Sequence, residues 1–458
     1  MKTKDMKNLK DIAGEENVIL SEEERYCYSY DSTRLEYIPD VVVRVRNARQ
    51  ISDIFKYASS EKIPVTPRGA ATGLSGGCLA MEGGILLLMV EMDKILEVDP
   101  VDLLMDVEAG IITVDVDKEA NKHGLFYPPD PGSLKYSTIG GNIAENAGGL
   151  RGLKYGVTKD YVNALEAVLP NGDIVNFGTR TVKGVTGYNM VDLMTGSEGT
   201  LAVITKATLG LLPMPPARAS LLALFSTMED AAKSVQDIVS NGVITSTLEI
   251  IDQVTINAIE DYIGLGLDRS IGAMLLIEVD GQQGAVDAEA EVVMKACRSN
   301  KAVSCKQAAS DQERDEIWTA RRAALSSLAR VRPSTILEDA TVPRSRFVEM
   351  VEAVNDIAKK YDLTIGTFGH AGDGNLHPTI LTDMRDAREE KKVESAIEEI
   401  FKVAVDLGGT LSGEHGIGIS KAKYLKMEID PASYELMKRV KKAFDPDNIL
   451  NPGKMFLD

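Results

Sequence analysis

Pro67-Arg68-Gly69-Ala70-Ala71-Thr72-Gly73-Leu74-Ser75-Gly76-Gly77 follows the strand-like run Ile63-Pro64-Val65-Thr66. Its glycines leave backbone N–H groups unshielded, which is how a chain cradles phosphate without basic side chains. The rival reading is a dinucleotide-binding βαβ unit, with Glu91 after the strand-like Ile85-Leu86-Leu87-Leu88-Met89-Val90 as the ribose acid. Spacing excludes it. The interval from Gly77 to Gly84 has no room for a crossover helix, and the loop holds no GxGxxG. Two more glycine segments follow, Gly140-Gly141-Asn142-Ile143-Ala144-Glu145-Asn146-Ala147-Gly148-Gly149 and Gly196-Ser197-Glu198-Gly199-Thr200. Any one of the three, taken alone, reads equally well as a turn.

A second signal lies near the end. Three of the four histidines fall in two glycine-rich stretches, Gly369-His370-Ala371-Gly372-Asp373-Gly374-Asn375-Leu376-His377 and Ser412-Gly413-Glu414-His415-Gly416. The runs 364–368 and 378–381 are strand-like, so a hairpin would set His370 and His377 face to face. Two neutral imidazoles with Glu414 suit a divalent transition metal that keeps positions open for a substrate. His415, adjacent to Glu414, cannot easily ligate the same ion but can stand over those positions and move protons near neutral pH. A lone histidine in such a loop usually bonds backbone, but three beside a glutamate would be a costly polar cluster without a ligand. Asp373 reads as a turn former.

The chain has 458 residues, 44% apolar and 26% charged, which implies a soluble globular protein of two or three domains. A formal charge of -18 disfavours nucleic acid and anionic membranes, which demand basic patches. No apolar run reaches the roughly 18 residues of a membrane span, and the start lacks a secretion signal's apolar core, so a cytoplasmic location is expected. Cys27, Cys78, Cys297 and Cys305 show no CxxC spacing; they read as free thiols, with no iron-sulfur cluster in this chain.

A boundary is expected near Pro213-Met214-Pro215-Pro216. Beyond it, strands at 221–225, 247–251, 273–279 and near Val303 alternate with helices at 228–240 and 285–298 and one further helix, a ferredoxin-like αβ pattern. An amphipathic helix over 311–332 carries the only tryptophan, Trp318. Helices at 346–361 and 387–406 follow, and 444–454 is too rich in turn formers for a helix.

The loop Arg-Gly-x-x-Thr-Gly-x-Ser-Gly-Gly, the GGN-x-x-x-NAGG segment, GSEGTL and the NPGK tail, in that order, resemble the flavin-binding pattern of the vanillyl-alcohol oxidase superfamily. More narrowly, the chain resembles its FAD-linked 2-hydroxyacid dehydrogenases, from about residue 20 to the end. The resemblance implies an α+β fold: a two-part FAD-binding domain over 1–216, a ferredoxin-like substrate or cap domain with the histidine motif over 217–410, and a helical C-terminal segment, 411–458, returning to the FAD domain. It implies that Arg68, Gly69, Thr72, Gly73 and Ser75 line the FAD pyrophosphate. Pro131, Ser137, Gly141, Asn142 and Asn146 would continue the cleft, Ile204 would lie near the adenosine end, and Glu198, Gly199 and Asn451 belong to the same pattern. The first loop has no histidine for covalent attachment, so FAD is expected to be non-covalent, with Cys78 the nearest nucleophile.

In the same family pattern, His370, His377 and Glu414 match the ligands of a divalent metal (Zn, Fe or Mn) and His415 the general base. Arg321 matches the arginine that grips the substrate carboxylate, and Asn375 a position near flavin or substrate. Leu325 and Leu337 stand where hydroxyglutarate enzymes hold a second carboxylate, which favours a short monocarboxylate. The implied activity is oxidation of a small D-2-hydroxy acid, D-lactate to pyruvate foremost. Electrons would pass to a partner, an electron-transfer flavoprotein foremost; a glycolate oxidase flavoprotein subunit feeding an iron-sulfur subunit is the alternative. Outside this class stand a metallohydrolase built on HxxxxxxH and a flavin-binding electron carrier with a structural metal.

Overall fold

The computed structural model describes residues 3–456. The chain divides into two compact units. The first takes in the chain up to Gly148, Val157–Met214 and the chain from Glu414; the second comprises Gly149–Gly156 and Pro215–Gly413.

In the first unit a four-stranded sheet runs in the order Val18–Ile19, Val41–Arg44, Ile85–Leu88, Val65–Arg68, the last three parallel. The helix Ala48–Glu61 makes the crossover between Val41–Arg44 and Val65–Arg68, burying Ile51, Ile54, Phe55 and Ala58 at helical spacing. Val65–Arg68 and Ile85–Leu88 are parallel neighbours joined by the glycine loop itself, not by a helix. A five-stranded antiparallel sheet has the order Ile95–Asp99, Leu104–Glu108, Val203–Gly210, Val162–Val168, Ile174–Gly178. The last helix, Pro431–Phe444, opens on a proline capped by Asp430 and stops where the turn formers begin. The tail then returns to the first sheet: Val65 N–H donates to Ile449 O, and Asn451 N–H to Val65 O.

The second unit is built on one sheet of eight strands. Its first four, in the order Ser304–Gln307, Ala217–Phe225, Ala273–Gly281, Thr247–Asp252, are all antiparallel. With Met228–Ser240 and Gln283–Ser299 as the connecting helices, this is the ferredoxin-like arrangement. The sheet continues past it. Thr364–His370 pairs with the strand Thr247–Asp252, Asn375–Thr382 follows as the other arm of a hairpin, Ser334–Leu337 closes the order, and the eighth strand, Ala340–Thr341, pairs with Asn375–Thr382 off that path. One face packs on Val235, Ile238, Val293, Phe347 and Ile400, and the other on Ile256, Ile259, Ala324 and Leu328.

Two expectations need correction. The helix predicted over 311–332 is Asp311–Leu328, because Pro333 disfavours helical backbone at Arg332 and the chain turns out from Ala329. Gly149–Gly156, assigned by sequence to the FAD domain, belongs to the second unit: Lys154 Nζ lies 2.5 Å from Asp280 Oδ1, and Tyr155 OH donates to Asp280 Oδ2 at 2.8 Å.

Candidate functional site

The first unit contains a cleft walled by all three glycine segments, with Arg68, Gly69, Gly141, Glu198, Gly199, Ile204 and Asn451 among its lining residues. Close approach explains the glycines. A Cβ on Gly69 would fall 2.3 Å from Thr138 Oγ1, and one on Gly140 2.9 Å from Ala109 Cβ, so neither wall admits a side chain. Thr138 in turn caps the helix Ile139–Glu145 by accepting from Gly141 N–H. Asn451 Nδ2 donates to Gly77 O and Glu198 O, both at 2.9 Å, tying the tail to two of the loops. Its φ of 47° is left-handed, a conformation that asparagine tolerates better than most residues.

The cleft holds polar groups whose needs the chain does not meet. Among the described residues, Glu145 Oε2 and Asn451 Oδ1 are buried without a hydrogen-bond partner, and both residues line it. Orphaned polar atoms against a glycine wall fit a dinucleotide that supplies the missing partners. Burial, and then the neighbouring Glu198, pushes the Glu145 carboxyl well above the usual range. Burial also raises Glu198, although its carboxylate accepts from Ile417 N–H at 2.8 Å and Gly418 N–H at 2.6 Å. Burial holds the Cys78 thiol at about 12. Such a thiol is almost wholly protonated at neutral pH and a poor nucleophile toward a flavin.

Other residues named from the motifs lie outside the lining. Asn142 Nδ2 donates to Thr113 Oγ1 at 2.7 Å, and Ser137 meets the same hydroxyl, so both brace the fold behind the cleft. Asn146 ends the helix Ile139–Glu145 in left-handed backbone and accepts from Lys159 N–H. Pro131, Thr72, Gly73 and Ser75 are likewise not among the lining residues. Ser75 O instead accepts from Ile419 and Ser420 N–H, so it anchors the first loop to the C-terminal segment. Sequence reasoning missed the wall formed by Thr138, Glu145, Ala202 and Val203.

In the second unit the hairpin register sets Phe368 opposite His377. The imidazoles of His370 and His377 stand edge to face rather than face to face, centroids 5.2 Å apart. The strand Thr247–Asp252 pairs Glu249 directly with His370. That register supplies a residue the motifs did not reveal: Glu249, fully buried, takes His370 Nδ1 at 2.6 Å on Oε1 and Arg321 Nε at 2.5 Å on Oε2. Burial pushes the Glu249 carboxyl up, but His370 and Arg321 together outweigh it and hold it below the usual range. The helix Asp311–Leu328 carries Arg321 over the same face, with its guanidinium 4.8 Å from the centre of the Phe368 ring. Sequence offered one clue, a glutamate set among Leu248, Ile250 and Ile251, since buried carboxylates are rarely left unpaired.

A second buried carboxylate lies near the other histidine. Asp339 accepts from Asn375 Nδ2 at 2.8 Å and from Ser412 Oγ at 2.9 Å, and lies 3.9 Å from His377 Nδ1. Asn375 Oδ1 is buried without a partner among the described residues. Gly413 closes this group, because a Cβ there would fall 2.2 Å from both Asn375 Nδ2 and Thr341 Oγ1. Glu414, the next residue, opens the last segment of the first unit, where a Cβ on Gly148 would fall 2.7 Å from its Oε2. Two imidazoles, one held by a carboxylate through Nδ1, are a donor set that fits a borderline divalent metal.

A glycine-walled dinucleotide cleft and, in the other unit, a histidine pair, one of them carboxylate-backed, beside a half-buried arginine define a flavin-dependent oxidoreductase. The chain belongs to the FAD-linked oxidases. Residues 214–455 match the family described as FAD linked oxidases, C-terminal domain, and residues 39–178 match the FAD binding domain. It is 50% identical over 458 residues to the glycolate oxidase subunit GlcD of Bacillus subtilis, covering 100% of this chain and 97% of that one. It is 35% identical to the D-lactate dehydrogenase of Anaerostipes hadrus, covering 91% of this chain and 89% of that one. Among solved structures, p-cresol methylhydroxylase superposes with a TM-score of 0.81 at 18% identity, covering 99% of this chain and 96% of that one, a likeness of fold. Among the described residues, no helix is long and apolar enough to cross a membrane.

Proposed function

We propose that the protein oxidises a short 2-hydroxy monocarboxylate to the 2-oxo acid with non-covalent FAD. The carrying observation is the group Arg321, Glu249, His370 and His377: a cation for the substrate carboxylate fixed beside two imidazoles suited to a metal. The full-length 50% match favours glycolate; the D-lactate expected from the motifs is the second reading, favoured by the dehydrogenase relatives.

Bound FAD supplies the acceptor for two electrons from C2, chemistry that belongs to the cofactor. Its pyrophosphate would rest on the Gly69 and Gly141 walls beside Arg68, and the high thiol pKa of Cys78 supports non-covalent binding. A divalent metal on His370, His377 and Glu414 would supply Lewis acidity at the hydroxyl. Arg321 turns its terminal nitrogens to the carboxylate, since Nε is already held by Glu249. His415 takes the proton from the C2 hydroxyl oxygen. Leu337, in the apolar cluster with Phe368 and Trp318, offers nothing to a second carboxylate, which supports a monocarboxylate. Electrons leave to a partner protein, an electron-transfer flavoprotein or an iron-sulfur subunit.

Anaerobic titration of the yellow protein with glycolate, D-lactate, L-lactate and D-2-hydroxyglutarate tests the reading. Bleaching by glycolate or D-lactate is expected. Bleaching by none of the four refutes it.

A further inference from the structure

We infer that Glu249 is a positioning residue that couples metal binding at His370 to carboxylate binding at Arg321. The inference rests on the proposed roles of those two residues and goes beyond them, because it makes one carboxylate responsible for both.

The geometry leaves Glu249 little else to do. Its side chain is 0% exposed, against 8% for His370 and 12% for Arg321, so its charge is neutralised by these two partners rather than by water. Each carboxylate oxygen serves one of them. A contact of 2.6 Å from an ionised carboxylate to Nδ1 requires the proton on Nδ1, which leaves the lone pair on Nε2, the nitrogen that would meet a metal. On the other oxygen, Arg321 spends Nε, so only its terminal nitrogens can address a substrate, and the Phe368 ring fixes the guanidinium plane. The one negative charge is therefore shared. A cation on His370 draws it toward the imidazole and leaves more of the Arg321 charge for an incoming anion, and by linkage the anion strengthens the metal site equally.

Glutamine at 249 cannot reproduce this. Its oxygen can take the place of only one of the two carboxylate oxygens, so its amide NH₂ must face the other partner. An amide N–H toward His370 forces the tautomer with Nε2 protonated, and one toward Arg321 opposes Nε–H.

The test uses FAD-loaded Glu249→Gln and the parent, with Zn²⁺ titrated against a competing chelator and flavin reduction followed over a range of glycolate and D-lactate. Zn²⁺ affinity should fall about 10- to 100-fold. At saturating Zn²⁺ the half-saturating substrate concentration should rise on the order of tenfold, with a smaller change in the limiting rate. A buried ion pair that merely holds helix to sheet would move the melting temperature and neither of these. His370→Ala separates the two levels of failure. If His370→Ala keeps full Zn²⁺ affinity, the metal reading falls; if it loses Zn²⁺ while Glu249→Gln keeps parental values, or shifts only one of the two, the coupling alone is overturned. Should Glu249→Gln not fold, ¹⁵N NMR of histidines in the zinc-free, FAD-loaded parent decides: a proton on His370 Nδ1 upholds the assignment, and one on Nε2 overturns it.

Discussion

Gly69→Ala should cripple FAD binding, and the cause is a single contact. The new Cβ would fall 2.3 Å from Thr138 Oγ1, with Thr138 Cβ and Cγ2 both at 3.5 Å, an ordinary contact. Relief requires Thr138 to move, and Thr138 is the cap of the helix Ile139–Glu145. Losing the cap costs about 1 kcal/mol, and the overpacking about 1–3 kcal/mol more. Both segments wall the flavin cleft, so a strain of roughly 2–4 kcal/mol should appear in FAD affinity as a weakening of about 30- to 700-fold. Flavin-fluorescence titration of the apoprotein measures it. Thr138→Ala supplies the control: it removes the clashing oxygen, so in that background Gly69→Ala should cost under about 1 kcal/mol beyond the lost cap. Parental affinity in Gly69→Ala, or full additivity in the double variant, would refute the account of this wall.

Other outcomes follow from the same geometry. His370→Ala and His377→Ala should lose bound metal and turnover while keeping FAD, because the cofactor cleft lies in the other unit; metal analysis with flavin stoichiometry checks this. His415→Asn should keep metal and FAD but slow flavin reduction in stopped flow by about 10²- to 10⁴-fold; an unchanged rate would assign the proton to another group. Burial holds the Lys454 ammonium down at about 8, against about 10.4 in the unfolded chain. Between those values the unfolded state binds more protons, so this residue's contribution to stability rises with pH, by at most about 3 kcal/mol from pH 8 to 10. Urea unfolding of parent and Lys454→Met should show the parent gaining on the variant over that window.

Much of this fold could be read from the sequence because its elements obey local rules. The helix Met228–Ser240 begins at a threonine cap and buries Ala231, Ala232, Val235 and Ile238 on one stripe, so period and cap agree. The ferredoxin-like pattern was legible for the same reason. Its extension was not: that Thr364–His370 pairs with Thr247–Asp252 is a long-range register, carried by no residue's own propensity. The fate of Gly149–Gly156 was hidden likewise, since it turns on the Asp280 carboxylate 125 or so residues away.

The same distinction explains which site residues the sequence disclosed. His370, His377, Glu414 and His415 announced themselves because glycines surround them and their spacing is short. Glu249 and Asp339 sit in ordinary strand and loop context, yet each is fully buried against a histidine that only tertiary pairing brings near. Their presence alters how the exposed-looking motif is understood. A histidine hairpin on its own would be free to choose tautomers and ring orientations, and a metal would have to bear the cost of ordering it. With Glu249 bonded to Nδ1 of His370 across one strand pair, that ring's orientation is set by the sheet before any ligand arrives. The glycines have a complementary reason. Gly369 and Gly413 lie where a Cβ would strike the backbone or side chain of Asn375, so they let the hairpin and the segment leading to Glu414 close on that residue. The Glu249 carboxylate orients, and the glycines permit the approach.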